Sequence, residues 1–121
     1  MTNELVINGK TYEFNFGMGF IRQIDPKHTQ TTSGVTQNIG LLVEMAKVID
    51  GDLIALYECL RMANKGFTPR IEQADFDRWV EDADTDIEEV FRTVESFFAN
   101  NNCCKTAYRK LMGNTTTPTQ Q

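Results

Sequence analysis

The chain has 121 residues, of which 40% are apolar, 24% charged and 10% aromatic, a composition typical of one globular domain and not of a disordered or fibrous chain. The formal net charge is −5, and nine carboxylates against one arginine are concentrated in residues 72–89, which we call the acidic segment. Such a segment repels a phosphate backbone, so direct binding of DNA or RNA is not expected.

Neither a membrane span nor a secretory signal is predicted. No apolar run in the sequence approaches the about 20 residues that cross a bilayer. The N-terminal residues lack a basic region followed by an apolar one, so we expect a cytoplasmic protein. The odd number of cysteines then predicts free thiols rather than a disulfide framework (Cys59, Cys103 and Cys104).

The first residues predict a β-hairpin. Asn8-Gly9 is the strongest short turn signal, because both central residues of a type I′ turn need positive φ. Beyond the turn, aromatic residues at every second position indicate a strand with one buried face (Tyr12, Phe14 and Phe16). Two strands alone are marginally stable in water, so this face must pack on helices or on another chain.

A short helix and a polar loop are predicted next. Apolar residues at positions 20, 21 and 24 share one helical face, and Pro26 ends the helix. Gly17 and Gly19 resemble a phosphate-binding loop only faintly, since neither a third glycine nor a Lys-Ser/Thr pair follows in register. Residues 26–37 are polar and threonine-rich, which predicts a loop, and we interpret the single histidine, His28, as an ordinary exposed loop residue.

Three helices are predicted in the middle of the chain. Residues 38–49 are apolar on most faces, which is typical of a central, buried helix. Asp52 is a candidate N-cap for the next helix, over residues 53–64. A short acidic helix is predicted near residues 72–82.

The C-terminal part predicts a strongly amphipathic helix. Thr85 and Glu88 have the spacing of a capping box at its start. A short helix at about residues 103–112 and a disordered polar tail at residues 113–121 complete the chain. We therefore expect a mostly helical α+β fold, with an N-terminal β-hairpin followed by about five helices, in a single domain over residues 1–112. Large apolar residues recur along the amphipathic helix with a 3.6-residue period (Ile87, Val90, Phe91, Val94, Phe97 and Phe98).

No catalytic, cofactor-binding or metal-binding residue is predicted. One histidine and two adjacent cysteines do not supply the clustered ligands that a metal needs. The sequence around His28 offers neither a nucleophile nor a metal partner. The carboxylates of the acidic segment are typical of hydrated side chains, whereas acid–base catalysis needs a desolvated carboxyl. We expect a binding or assembly protein rather than an enzyme, and no cofactor.

Several segments together resemble a known family. Its members open with a strand, an Asn-Gly-Lys turn, a Tyr-x-Phe-x-Phe strand, a glycine and a short helix, which here are residues 6–17 and 20–25. The middle portion at residues 51–57 and the acidic portion at residues 85–90 also fit. Over residues 4–100 the chain resembles the tail assembly chaperones of long-tailed phages and prophages of Gram-positive bacteria.

This resemblance implies a role without catalysis. Proteins of this family bind the tape measure protein, keep it soluble and help tail tube subunits polymerise around it. The implied partners are therefore the phage tape measure protein and the major tail protein, in the host cytoplasm. Candidate contacts are the hairpin aromatics and the C-terminal stripe, although both sets are interpreted first as core (Tyr12, Phe14 and Phe16; Phe91, Val94, Phe97 and Phe98).

Two further hypotheses accompany the chaperone interpretation. The free edges of the hairpin favour self-association into a homo-oligomer. The alternative function is an acidic inhibitor or DNA mimic that binds a DNA-handling partner through the acidic segment, with Asp82, Asp84 and Asp86 as its main carboxylates.

Overall fold

The computed structural model describes residues 3–116. The strands form two separate two-stranded sheets, and six α-helices lie among the described residues. The predicted α+β, mostly helical fold class is therefore confirmed. In chain order the elements are β1 (Asn3–Ile7), β2 (Lys10–Phe14), α1 (Met18–Ile24), a 3₁₀ turn (Asp25–Lys27), β3 (Thr29–Thr32), β4 (Val35–Asn38), α2 (Gly40–Ile49), α3 (Leu53–Asn64), α4 (Gln73–Glu81), α5 (Ile87–Asn100) and α6 (Lys105–Thr116).

The N-terminal hairpin forms as predicted. β1 pairs antiparallel with β2, which places Leu5 opposite Tyr12. Asn8 and Gly9 have φ angles of 53° and 82°, the signs that a type I′ turn requires. The side-chain alternation of the second strand buries Tyr12 and Phe14 on the inner face of the hairpin.

Phe16, directly after β2, lies at the centre of an aromatic cluster. Its ring centroid is 5.0 Å from that of Phe20 and 5.5 Å from that of Phe98, both in edge-to-face geometry. This arrangement places the positive ring edge against a negative ring face. The Phe97 ring lies 5.8 Å away on the same helix as Phe98. Phe16 thus packs against α5, and Tyr12 and Phe14 are buried as well, so the interpretation of the hairpin aromatics as core is confirmed.

The most deeply buried helix is α3, with seven of its twelve residues buried. Its N-cap is Asp52, as predicted, and the carboxylate accepts from the backbone N–H groups of Ile54 and Ala55 at 2.9 and 3.0 Å. The sequence predicted that α2 would be the central, buried helix. This prediction is wrong, because α2 buries only four of its ten residues. Leu42 is exposed because one face of α2 meets solvent.

A buried amide ties α3 to two other parts of the fold. Asn64 Nδ2 donates to the carbonyl oxygens of Glu13 and Pro69 at 2.9 and 3.1 Å, and Asn64 Oδ1 accepts from the backbone N–H of Ile71 at 2.7 Å. The amide therefore satisfies three backbone groups at once. It fixes both the hairpin and the entry to α4 against the end of α3.

Residues 26–37 hold most of a second hairpin, not the loop that was predicted. β3 pairs antiparallel with β4 across Ser33 and Gly34, whose φ angles are 53° and 80°. Every residue of both strands is exposed. The sequence therefore shows no alternation of apolar and polar residues, although threonine and valine favour extended backbone.

The interpretation of His28 as an ordinary exposed loop residue is also wrong. The ring is half-buried, and His28 Nε2 donates to Glu44 Oε2 at 2.5 Å. Glu44 is only 3% exposed, and Lys47 Nζ lies 3.4 Å from the same oxygen. A carboxylate buried to this degree needs donors. The 3₁₀ turn packs against α2, and His28, which follows this turn directly, supplies one donor.

Two helix ends differ from the predictions. The N-cap of α5 is Asp86 and not Thr85, because the Asp86 carboxylate accepts from the backbone N–H of Glu89 at 3.1 Å. A carboxylate at this end also interacts favourably with the helix dipole. α6 continues to Thr116, four residues into the segment predicted as a disordered tail. The remainder of that segment, residues 117–121, lies outside the described residues.

Candidate functional site

An apolar groove lies between the first turns of α3 and the length of α4. Its volume is about 410 Å³. Aromatic and aliphatic side chains form its floor and one wall, and carboxylates lie along its rim. We call it the α3/α4 groove, and it is lined by Leu53, Ile54, Tyr57, Glu58, Gln73, Phe76, Asp77, Val80 and Glu81.

Two packed rings connect the helices at the floor of the groove. The ring centroids of Tyr57 and Phe76 lie 5.1 Å apart at 49°, and Trp79 meets Phe76 edge-to-face at 6.1 Å. Burial raises the pKa of the Tyr57 hydroxyl; Arg61 opposes this shift, while nearby carboxylates, including that of Asp77, add to it. The tyrosine therefore stays neutral at physiological pH and presents an apolar ring to the groove.

The wall formed by α3 is open to solvent. Ile54 is 78% exposed and Leu53 is 38% exposed. Ile54 lies two residues before the buried Leu56, which places it about 200° away around the helix axis. Its side chain therefore points away from the core. Two neighbouring aliphatic side chains beside an aromatic floor form a continuous apolar patch, which is typical of an interaction surface.

Three carboxylates line the rim. Glu58 Oε1 accepts from Arg61 at 2.6 Å and lies 3.9 Å from Lys27 Nζ. Asp77 and Glu81 lie one turn apart on α4, and both are exposed. Neither carboxylate forms an ion pair with any residue in the range 3–116. The groove thus combines an apolar floor with two exposed carboxylates on the α4 side of its rim, Asp77 and Glu81, whose charges no described cation balances.

A comparison with protein families shows to which family the chain belongs. A family model described as phage tail assembly chaperone protein, TAC, matches residues 4–112. The chain belongs to this chaperone family. The match begins in β1 and ends in α6, so it includes both helices of the α3/α4 groove. Among curated proteins and solved structures, none matches the chaperone significantly.

Much of the chaperone's acidic segment has a local structural role. Four of its nine carboxylates accept hydrogen bonds from groups two or three residues further along the chain (Asp75, Asp82, Asp86 and Glu89). Two of these bonds come from arginine side chains, one closes a turn and one caps a helix. The other five carboxylates include Asp77 and Glu81 at the groove.

The chaperone's three cysteines are free, and two of them are buried. Burial raises the pKa of the Cys104 thiol to about 12, and it also raises the pKa of Cys59. Both thiols therefore stay protonated near neutral pH, the form that is a poor nucleophile. Within residues 3–116, no three side chains of His, Cys, Asp or Glu are grouped to hold a metal ion.

The side chains that the sequence offered as candidate contacts, and that were interpreted first as core, are mostly buried in the structure. The hairpin aromatics and the α5 side chains Val94, Phe97 and Phe98 are buried, and Phe91 is partly buried. Among them, the Phe16 ring contacts those of Phe97 and Phe98. The groove residues were missed, although Ile54 falls off the core stripe of α3 and so carried the signal. The described helices include none that is both long and apolar enough to traverse a bilayer.

Proposed function

We propose that this tail assembly chaperone binds the phage tape measure protein in the host cytoplasm and keeps it soluble while major tail protein subunits polymerise around it. The role involves contact between proteins and no catalysis. The family match over residues 4–112 is the observation that carries the proposal.

The surface of the chaperone has the chemistry that such a role needs. A very long, helical tape measure chain would expose apolar stripes until the tail tube covers it, and a chaperone must cover them first. Ile54 and Leu53 provide exposed apolar area for this contact. The net charge of −5 helps to keep the complex from aggregating.

The alternative of an acidic inhibitor or DNA mimic has less support. A DNA mimic needs its carboxylates free and arranged along a surface. Asp82 and Asp86 are instead engaged with backbone N–H groups of their own segment. This use of the carboxylates favours a helix-stabilising role for the acidic segment.

Co-expression tests the proposal. The tape measure protein of the same phage is produced in bacteria alone, with the chaperone, and with an unrelated acidic protein of similar size. We expect the chaperone alone to move the tape measure protein into the soluble fraction and to co-purify with it. Equal solubility with the chaperone and with the unrelated protein would contradict the proposed function.

A further inference from the structure

We propose that the α3/α4 groove binds one amphipathic helix whose apolar stripe is flanked by lysine or arginine. This inference rests on the proposed function, since the helix would be a segment of the tape measure protein. It adds the place of contact and the charge of the partner.

The shape of the groove fits a helix. Two helices form its walls, and Tyr57 and Phe76 close its floor with rings 5.1 Å apart. An amphipathic helix that enters such a groove inserts side chains at positions i, i+3 or i+4, and i+7. The exposed Ile54 and the partly buried Val80 lie where they would contact those side chains from either wall.

The charge of the rim selects a cationic partner. Asp77 and Glu81 are exposed carboxylates one turn apart on the same face of α4, and like charges at this spacing repel each other. No described cation pairs with either one. A lysine or arginine beside the apolar stripe of the partner would relieve this repulsion. The same rim disfavours an acidic helix and any nucleic acid.

A separate chain is a better occupant than a second copy of this one. The basic helix of this protein is α6, with Lys105, Arg109 and Lys110. Its apolar residues Tyr108 and Leu111 already pack against the core of their own chain. A second copy would have to release them before α6 could enter the groove.

Peptide binding tests the groove directly. The probes are two labelled amphipathic peptides of about 14 residues with the same apolar stripe, one flanked by lysines and one by glutamates. Fluorescence polarisation is measured at about 50 and about 300 mM NaCl. We expect the wild-type chaperone to bind the lysine peptide at least about tenfold more tightly, with an affinity that falls at the higher salt concentration. Equal binding of the two peptides would overturn the charge assignment.

Matched variants localise the contact. Ile54→Ser removes the exposed side chain of the groove wall, and Val6→Ser is its control, because Val6 is 63% exposed on β1 outside the groove. We expect Ile54→Ser to weaken binding of the lysine peptide about tenfold and Val6→Ser to leave it unchanged. Far-UV circular dichroism and thermal melting verify that both variants fold. Equal effects of the two substitutions would overturn the inference.

A second pair of variants distinguishes the effect of the rim carboxylates on binding from the effect of net charge. The variant Asp77→Asn/Glu81→Gln removes two charges at the groove, and Asp84→Asn/Glu88→Gln removes two exposed charges elsewhere in the acidic segment. We expect only the first variant to lose affinity for the lysine peptide, about fivefold, and to lose its salt dependence. A loss of affinity of the same size in both variants would assign the effect to net charge, and it would contradict a specific role of the rim carboxylates.

Two further outcomes distinguish this inference from the proposed function. If the wild type and Ile54→Ser solubilise the tape measure protein equally, the chaperone function stands and the groove is not its site. If the wild type binds the lysine peptide but does not solubilise the tape measure protein, the groove stands and the proposed partner is wrong. A self-associated wild type that Ile54→Ser converts to a monomer would assign the groove to a second copy and overturn the inference.

Discussion

The replacement Asn64→Ala tests the packing that holds the hairpin and α4 in place. It removes three hydrogen bonds that join α3 to Glu13, Pro69 and Ile71. Ile71 is 3% exposed, so its backbone N–H would be left without an acceptor, at a cost of about 1–3 kcal/mol. The two carbonyl oxygens would each lose one donor, which adds about 1 kcal/mol.

The free energy of unfolding should therefore fall by about 2–4 kcal/mol, which corresponds to a melting temperature lower by roughly 6–16 °C for a domain of this size. Urea unfolding followed by circular dichroism measures the change. The matched control is Asn100→Ala, because Asn100 is likewise the last residue of its helix but is exposed. Asn100→Ala should change the free energy of unfolding by no more than about 0.5 kcal/mol. Equal effects of the two replacements would refute the assigned role of Asn64.

Three more measurements test the close packing of the backbone and the burial of the thiols. Gly40→Ala would place a Cβ 1.9 Å from the Ile24 carbonyl oxygen, so we expect a loss of about 3 kcal/mol in urea unfolding, and an unchanged midpoint would contradict this packing. A thiol reagent near neutral pH should modify only Cys103 in the folded chaperone, and mass spectrometry showing modified Cys59 or Cys104 would contradict their burial. Stability should also fall as the pH rises from 9.0 towards 12, because the Cys104 thiol ionises in the unfolded chain before it ionises in the folded one. A flat urea midpoint over this range, or the same slope in Cys104→Ala, would contradict that linkage.

Local signals in the sequence predicted much of the fold. The Asn8-Gly9 turn has one favoured geometry, and the alternating aromatics after it identify the buried strand face. Asp52 predicted the start of α3, because an aspartate side chain can accept hydrogen bonds from the free backbone N–H groups at a helix start and few other side chains can. The 3.6-residue period of α5 likewise identified its buried face. In each case the chemistry that fixes the element lies within a few residues.

Features that depend on distant residues were not predictable in this way. The hairpin of β3 and β4 is exposed on both faces, so hydrophobic periodicity does not reveal it, and only Ser33-Gly34 marks its turn. The hydrogen bond between His28 and Glu44 spans sixteen positions and depends on how the 3₁₀ turn packs against α2. The α3/α4 groove needs two helices in a relative position that no local pattern specifies.

Hydrogen–deuterium exchange, measured on the chaperone alone and mixed with the tape measure protein, tests the proposed use of the α3/α4 groove. We expect slower exchange in α4 and in the first turns of α3, the two walls of the α3/α4 groove. The exposed hairpin of β3 and β4 serves as the internal control and should exchange equally in both states. Unchanged exchange in α3 and α4 of a complex that forms would contradict the assignment of the groove as the site that binds the tape measure protein.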